Sequence, residues 1–292
     1  MKKYLAIDIG GTFIKFGIYL ADGQEVFSDK IPTPKEAENF IDTLEEIIKL
    51  SESKETIDGI GLSCPGFINP KTGENNDFSI RESFKKYNVK KELEKRTKYK
   101  IAIENDAKCA VLAEKWLGSG KDCENFFVIT LGTGVGGGAV INNELYRGTN
   151  FKAGEFGLAY ISFSNEEGRI IKKTTPSAQV LMRRVGEVLG KEVNGEYVFA
   201  NLDNEKINEV YQNWLVEVSI LISNLSMCFD PQKVLIGGGI SAVTRLIEDL
   251  RETTNRLNGY VAEYTEIDAC KFRNDAGKLG AIYNYFLQYG VV

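Results

Sequence analysis

Asp8-Ile9-Gly10-Gly11-Thr12 ends one apolar run and opens another. The two glycines let the backbone approach a ligand closely and adopt positive φ. The N–H groups of such a turn and the Thr12 hydroxyl can donate to phosphate oxygens, and Asp8 can hold Mg²⁺ directly or through water. A plain tight hairpin would carry the same residues. Leu131-Gly132-Thr133-Gly134-Val135-Gly136-Gly137-Gly138 contains G-x-G-x-x-G after a strand. A dinucleotide-binding turn must open a helix. Here Ala139-Val140-Ile141-Asn142-Asn143 reads as strand and turn, so a second phosphate-binding hairpin is what survives. No G-x-x-x-x-G-K-[ST] is present.

Three further groups carry chemistry. Ile103-Glu104-Asn105-Asp106-Ala107 lies where a strand gives way to a helix. Asp106 there either caps the helix or serves as a general base, with Asn105 hydrogen-bonding a polar substrate. Glu155 stands between Gly154 and Phe156-Gly157, after a loop containing Arg147-Gly148. It is either a solvated loop charge or an acceptor for substrate hydroxyls. Gly237-Gly238-Gly239 ends a buried strand, where bare backbone could admit a nucleotide or simply make a tight strand–helix turn.

What is missing narrows the chemistry. The chain has no histidine, which excludes Ser-His-Asp and Cys-His catalysis, His-ligated zinc and a histidine base. Cys64, Cys109, Cys123, Cys228 and Cys270 are scattered and contain no C-x-x-C, so reduced thiols are expected. A net charge of −5 without a basic cluster argues against nucleic acid or anionic membrane as partner. No apolar run approaches the ~20 residues that span a bilayer. The opening stretch is too short and too interrupted, by Asp8, for a signal peptide, so a cytoplasmic location is expected.

The elements that must position these residues follow from pattern. Tyr4–Ile9, Phe13–Leu20 and Glu25–Lys30 read as three strands, the last two joined by Asp22-Gly23. Thr33-Pro34-Lys35-Glu36 reads as a capping box opening a helix with Phe40, Ile41, Leu44, Ile47 and Ile48 on one face. Ile57–Ser63 is a strand, Asn69–Arg81 a loop, and Asn88 caps a short helix. Ile101–Ile103 is a strand and Asp106–Leu117 a helix. Then the opening pattern returns, with strand Phe126–Leu131, glycine turn Gly132–Gly138, strand Ala139–Ile141 and turn Asn142-Asn143. Laying Tyr4–Gly23 over Phe126–Leu145 matches strand to strand and turn to turn, which suggests two related halves. Helices near Ser177–Leu189, Lys206–Phe229, Ala242–Leu257 and Ala276–Leu287, with strands at Lys233–Ile236 and Thr265–Ala269, complete the α/β pattern.

Taken in order, the motifs Asp8–Thr12, Gly61-Leu62-Ser63-Cys64-Pro65-Gly66, Glu104–Ala107, Leu131–Gly138, Gly154-Glu155-Phe156-Gly157, Asp230-Pro231 with Gly237–Ser241, and Gly280-Ala281 resemble the ROK family of sugar kinases. The resemblance implies two actin-like (ribonuclease H-like, ASKHA) α/β domains with a cleft between them. Residues 1–118 would form the first and 119–275 the second, with helix 276–292 packing back on the first. It implies ATP-dependent phosphorylation of a sugar hydroxyl, usually the 6-OH of a hexose, with ATP and Mg²⁺ as cofactors. Asp106 would be the general base. Asn105, Glu155 and Gly66 would meet the sugar. Gly10, Gly11, Thr12, Gly132, Thr133 and Gly134 would meet the phosphates, Gly237, Gly238 and Gly239 the nucleoside, and Asp8 the Mg²⁺ through water.

The chain also departs from the pattern. The family usually has histidine after G-E-x-G, a residue that contacts sugar and often binds zinc; here it is Leu158. The cysteine-rich zinc loop should follow, yet Ser162–Thr174 contains no cysteine, so no zinc site is expected. The sugar-binding glutamate after that loop has no match in Thr174-Thr175-Pro176-Ser177. This zinc-free pattern is similar to the β-glucoside kinase branch, which makes a β-glucoside such as cellobiose an expected substrate; glucokinase and N-acetylmannosamine kinase are the alternatives. A non-catalytic sugar sensor is the rival of another class, against which Asp106 and both phosphate turns argue. A repressor would carry a helix-turn-helix before Asp8, where only seven residues stand. An actin-like assembly protein is a further rival, and a homodimer is an assembly left open.

Overall fold

The computed structural model describes residues 1–77, 88–159, 161, 163–166, 169–172, 175–273 and 275–291. The expected loop 69–81 in part, and Thr174, lie outside the described residues. The chain divides into two compact units: Met1–Lys121 with Arg147–Ala153 and Asn274–Val292, and Asp122–Tyr146 with Gly154–Arg273. Each is an actin-like α/β fold built on a five-stranded sheet.

In the first unit the sheet order is β3-β2-β1-β4-β5, from Lys3–Ile9 (β1), Phe13–Leu20 (β2), Glu25–Pro32 (β3), Gly59–Cys64 (β4) and Ile101–Asn105 (β5). β1, β2 and β3 pair antiparallel, while β4 and β5 run parallel to β1. β4 is buried along its whole length, because helices cover both faces of a parallel sheet and remove the alternation a half-exposed strand would show. The two-residue period of β1 divides its side chains between those faces. Leu5, Ile7 and Ile9 join the core made with Phe40, Ile41, Leu44, Ile47 and Ile48 of the helix Ala37–Lys54. Tyr4, on the other face, meets Tyr285 and Phe286 of the helix Ala276–Tyr289, with ring centroids 5.3 and 4.8 Å away. Glycines make that approach possible: a Cβ on Gly59 would strike the Tyr285 ring, and one on Gly61 would lie 2.3 Å from the Ala281 carbonyl oxygen.

The second unit repeats this topology. Its order is β12-β11-β6-β7-β8, from Phe126–Leu131 (β6), Val135–Ile141 (β7), Glu144–Tyr146 (β8), Lys233–Gly237 (β11) and Glu266–Ala269 (β12). β6, β7, β8, β11 and β12 thus take the places of β1, β2, β3, β4 and β5, with the same parallel and antiparallel pairings. The turn between β7 and β8 is Asn142-Asn143, both at positive φ, the conformation a tight two-residue hairpin demands. A separate hairpin joins Phe163–Glu166 (β9) to Arg169–Lys172 (β10). The 25-residue helix Glu205–Phe229 carries the core, where buried Trp214 donates to the Ser177 carbonyl at 3.0 Å.

Two local expectations are corrected. Thr33 caps no helix: its hydroxyl donates to the Gly10 carbonyl at 2.7 Å, and the helix starts at Ala37 with no side-chain cap. The glycine turn is shorter than Gly132–Gly138, since Gly136, Gly137 and Gly138 belong to β7. Gly137 is glycine for packing, because a Cβ there would sit 2.7 Å from the Phe156 ring and 2.2 Å from the Val128 oxygen. The short helices Gly195–Ala200 and Gly259–Tyr264 have too few residues to show a period.

Candidate active site

In the first unit, three neighbouring strands end on one polar row. The register sets Asp8 beside Ser63, and Ser63 beside Glu104, all on the face covered by the helix Ala276–Tyr289. Ser63 donates to Asp8 Oδ1 at 2.6 Å. Asp8 also lies against the first turn of that helix, where a Cβ on Gly277 would come within 2.5 Å of Oδ1. Burial raises the Asp8 carboxyl above its ordinary pKa, and the Ser63 hydrogen bond opposes the rise.

The turn that follows Asp8 is braced from below. Gly10 N–H donates to the Phe13 carbonyl at 3.1 Å, and Thr33 N–H to the Thr12 carbonyl at 3.0 Å. A Cβ on Gly10 would meet the Phe13 oxygen at 2.8 Å, whereas one on Gly11 would meet nothing within 4 Å. Gly11 and Thr12 are exposed, so the upper side of the turn is open to a ligand.

Asn105 and Asp106 stand at the junction of β5 with the helix Asp106–Leu117. Asn105 is the N-cap: its Oδ1 accepts the Lys108 N–H at 3.0 Å. Its amide nitrogen donates to the Gly66 carbonyl at 2.9 Å and to Asp106 Oδ1 at 3.0 Å. The side chain expected to meet the substrate is therefore buried and engaged within the protein. Gly66, at positive φ, presents its carbonyl to Asn105; a Cβ there would collide with Asn75. Asp106 is the first helical residue, and its Oδ1 also accepts the Ala107 N–H at 2.8 Å. Its side chain reaches solvent by area, yet dense protein around it raises its pKa above the ordinary value. The Asp8 carboxylate adds to that rise, while the Ala107 N–H and the Lys108 charge oppose it.

The second unit offers a cavity of about 480 Å³ lined by Gly132, Thr133, Gly239 and Ile240 together with Met182 and Phe199. Gln179, Asn194, Gly195 and Glu196 supply polar groups at its wall. Such a mix of apolar walls and a few polar groups suits a flat heterocycle with a polar attachment. A Cβ on Gly132, Gly134 or Gly239 would meet nothing within 4 Å, so this backbone faces open space. Gly238, at φ +94°, lies close under β6: a Cβ there would be 2.2 Å from the Leu131 oxygen. Gly237 packs under Cys270 and Thr130 instead of facing the cavity. Met182, Gln179 and Phe199 escaped the sequence reading, because they lie on helices with no glycine motif of their own.

Glu155 precedes a single 3₁₀ turn, Phe156–Leu158, seated on β7. Gly154 abuts Gly138, and Gly157 abuts the Val135 carbonyl, so neither could carry a side chain without displacing that strand. Leu158, at the family's histidine position, is 65% exposed. Among the described residues, no group of three or more His, Cys, Asp or Glu side chains could hold a metal ion.

A strand-end turn with open glycine in each of two actin-like units, and in the first a carboxylate at the end of β1 and another at a helix start, are the features the sequence motifs had pointed to. A model of the ROK family matches residues 4–285. The chain belongs to the ROK family. It is 36% identical over 293 residues to a β-glucoside kinase of Listeria monocytogenes, with 98% of each chain covered. Among solved structures, Lmo2764 of Listeria monocytogenes, described as a candidate N-acetylmannosamine kinase, superposes with a TM-score of 0.86 at 34% identity, covering 98% of this chain and 99% of that one. A ROK family protein of Streptococcus pneumoniae in complex with sucrose also gives 0.86, at 27% identity and 98% coverage of both.

Proposed function

We propose that this ROK-family carbohydrate kinase transfers the γ-phosphoryl group of ATP to the 6-hydroxyl of the glucose unit in a β-glucoside. The observation that carries the reading is the likeness, over nearly the whole chain, to a β-glucoside kinase, joined to a leucine, Leu158, after the Gly154-Glu155-Phe156-Gly157 motif. A relative that binds sucrose supports a site with room for a disaccharide.

Asp106 accepts the proton of the 6-hydroxyl as the sugar oxygen attacks phosphorus. Asn105 and Ala107 both donate to Oδ1, and Oδ2 is the oxygen assigned to that proton. A raised pKa makes the carboxylate a better base, nearer the working pH. Asn105 acts by fixing Asp106, since both its donors are already used. Glu155 accepts hydrogen bonds from sugar hydroxyls, and Gly66 shapes the sugar site through its carbonyl. Gly10, Gly11 and Thr12, with Gly132, Thr133 and Gly134, offer N–H and hydroxyl donors to the phosphates, while Gly238 and Gly239 border the nucleoside cavity. Phosphoryl transfer needs mostly such positioning and charge stabilisation.

Asp8 fits a Mg²⁺ role. One carboxylate completed by water and phosphate oxygens is the hard-oxygen donor set this ion uses, and Ser63 already orients the carboxylate. When bound there, Mg²⁺ would neutralise charge on the phosphates.

The test is ADP release from purified protein over a panel of hexoses, N-acetylmannosamine and β-glucosides including cellobiose. The highest kcat/KM is expected on a β-glucoside. A clear preference for N-acetylmannosamine or free glucose would move the chain to another branch, and sugar binding without turnover would make it a sensor.

A further inference from the structure

Glu104 and Lys108 break local rules on either side of Asp106. Glu104 is fully buried in β5, and Lys108 is 1% exposed in the first helical turn, where the helix dipole disfavours a cation. Buried charges persist where something specific holds them. Both are held by one short segment. Glu104 Oε2 accepts from Arg147 Nε at 2.7 Å, and Lys108 Nζ donates to the Phe151 carbonyl at 3.1 Å. Arg147 and Phe151 belong to Arg147–Ala153, the whole stretch between β8 and Gly154, which packs as part of the first unit. Phe151 takes positive φ to deliver that carbonyl.

The other oxygen of Glu104 faces the catalytic turn. Oε1 accepts the Asn105 N–H at 2.9 Å, and Asn105 in turn donates to Asp106. A chain of charge-assisted and neutral hydrogen bonds thus runs from Arg147 through Glu104 and Asn105 to Asp106 Oδ1. Glu104 also stands in register beside Ser63, the residue that donates to Asp8.

We propose that Glu104 and Arg147 are a positioning pair that sets the Asn105–Asp106 turn for proton transfer. The proposal rests on the reading of Asp106 as general base. Neither residue touches substrate in it. The pair acts by holding the β5–helix junction at the angle that aims the Asp106 carboxylate, and misplacement of a reacting group by about 1 Å can cost ~10²-fold in rate.

Arg147→Met alone would leave Glu104 buried and unpaired, which is destabilising whatever the pair does for catalysis. The decisive variant is therefore the double change Glu104→Gln with Arg147→Met, which removes both charges at similar volume, measured beside Arg147→Lys and Asp106→Asn. The expected result is a folded double variant with kcat lowered roughly 10- to 100-fold and KM for ATP within about twofold of the parent. Arg147→Lys, which keeps a donor and a charge for Glu104, should recover kcat to within a fewfold. The proposal is overturned if the folded double variant keeps kcat within about threefold, if KM for ATP rises as much as kcat falls, or if Arg147→Lys is as impaired as the double variant. Asp106→Asn separates the two levels. If it retains kcat, the base assignment itself fails. If it loses kcat while the double variant does not, only the positioning pair fails.

Discussion

In the proposed mechanism Asp106 carries the largest demand placed on any single residue, while helix capping falls to its neighbour. Asn105, not Asp106, is the N-cap, so the helix keeps its start when Asp106 changes. Asp106→Asn preserves size and an acceptor for the Ala107 N–H but not a carboxylate. Loss of a general base typically costs about 10²–10⁴-fold. The expected outcome is a matching collapse of kcat with ATP binding and melting temperature nearly unchanged, measured on one preparation; a kcat within a fewfold of the parent would remove Asp106 from the mechanism. The pH dependence has a definite sign. A base must be ionised, so kcat/KM should fall as pH drops through a pKa lying above the ordinary aspartate value of 3.8. Burial is the main cause of that rise and the Asp8 charge adds to it, so Asp8→Asn should shift the limb to lower pH. Thr12→Val keeps shape and removes a hydroxyl. One charge-assisted hydrogen bond is worth roughly 1.5–3 kcal/mol, or about 10–150-fold if made in the transition state. Unchanged kcat/KM for ATP would release Thr12 from the phosphate turn. At this scale the sequence shows which residue types stand at the strand ends. It does not show that the Asn105 amide is committed to Gly66 and Asp106, because that depends on a carbonyl thirty-nine positions away.

At the scale of elements, legibility follows periodicity. Asp106–Leu117 and Phe126–Leu131 have the bounds their patterns predict, because a helical stripe or an apolar run ends at glycine or a capping residue, and Phe13–Leu20 lies between the Gly10-Gly11-Thr12 and Asp22-Gly23 turns. The Thr33 capping box misleads for a tertiary reason: the Gly10 carbonyl takes the hydroxyl a helix end would have used. Gly136–Gly138 misleads because glycines in a strand look like a turn until Phe156 is seen against them. Close packing also makes a prediction. The helix Ala276–Tyr289 crosses the helix Asp106–Leu117 at Gly280, where a Cβ would stand 1.7 Å from the Cys109 oxygen. In an open helix, Gly→Ala stabilises by ~0.5–1 kcal/mol, but forcing backbones apart costs typically ~1–3 kcal/mol or more. The clash wins. Gly280→Ala should lower the melting temperature by several degrees, at about 2–4 °C per kcal/mol for a protein of this size. Gly259→Ala, with nothing within 4 Å of its Cβ, serves as the control and should leave the transition in place or raise it slightly. Equal melting temperatures for the two variants would refute the packing argument.

At the scale of the whole chain, the sequence echo between Tyr4–Gly23 and Phe126–Leu145 is the trace of one sheet topology used twice. The two copies have divided the chemistry. Where the first has Asp8 before Gly10, the second has Thr130 before Gly132, so only one strand end offers a carboxylate to a cation. The second unit has kept open glycine backbone and gained the cavity beside it. This division bears on metals. The folded state of each unit rests on an extensive buried apolar core, without disulfides among the described residues and with no histidine anywhere in the chain. A structural zinc would instead contribute folding energy outright, and its removal would unfold the segment it holds. Mg²⁺, by contrast, is bound through one or two carboxylates plus substrate phosphates, so its removal should affect turnover and not folding. Treatment with a strong chelator is therefore expected to abolish ADP release, to leave the thermal transition where it was, and to be reversed by Mg²⁺ alone. Metal analysis of the untreated protein should find no stoichiometric zinc. A transition lowered by the chelator and restored only by zinc would mean that the residues between Leu158 and Ser177 hold a metal by means the family's histidine and cysteine pattern does not describe.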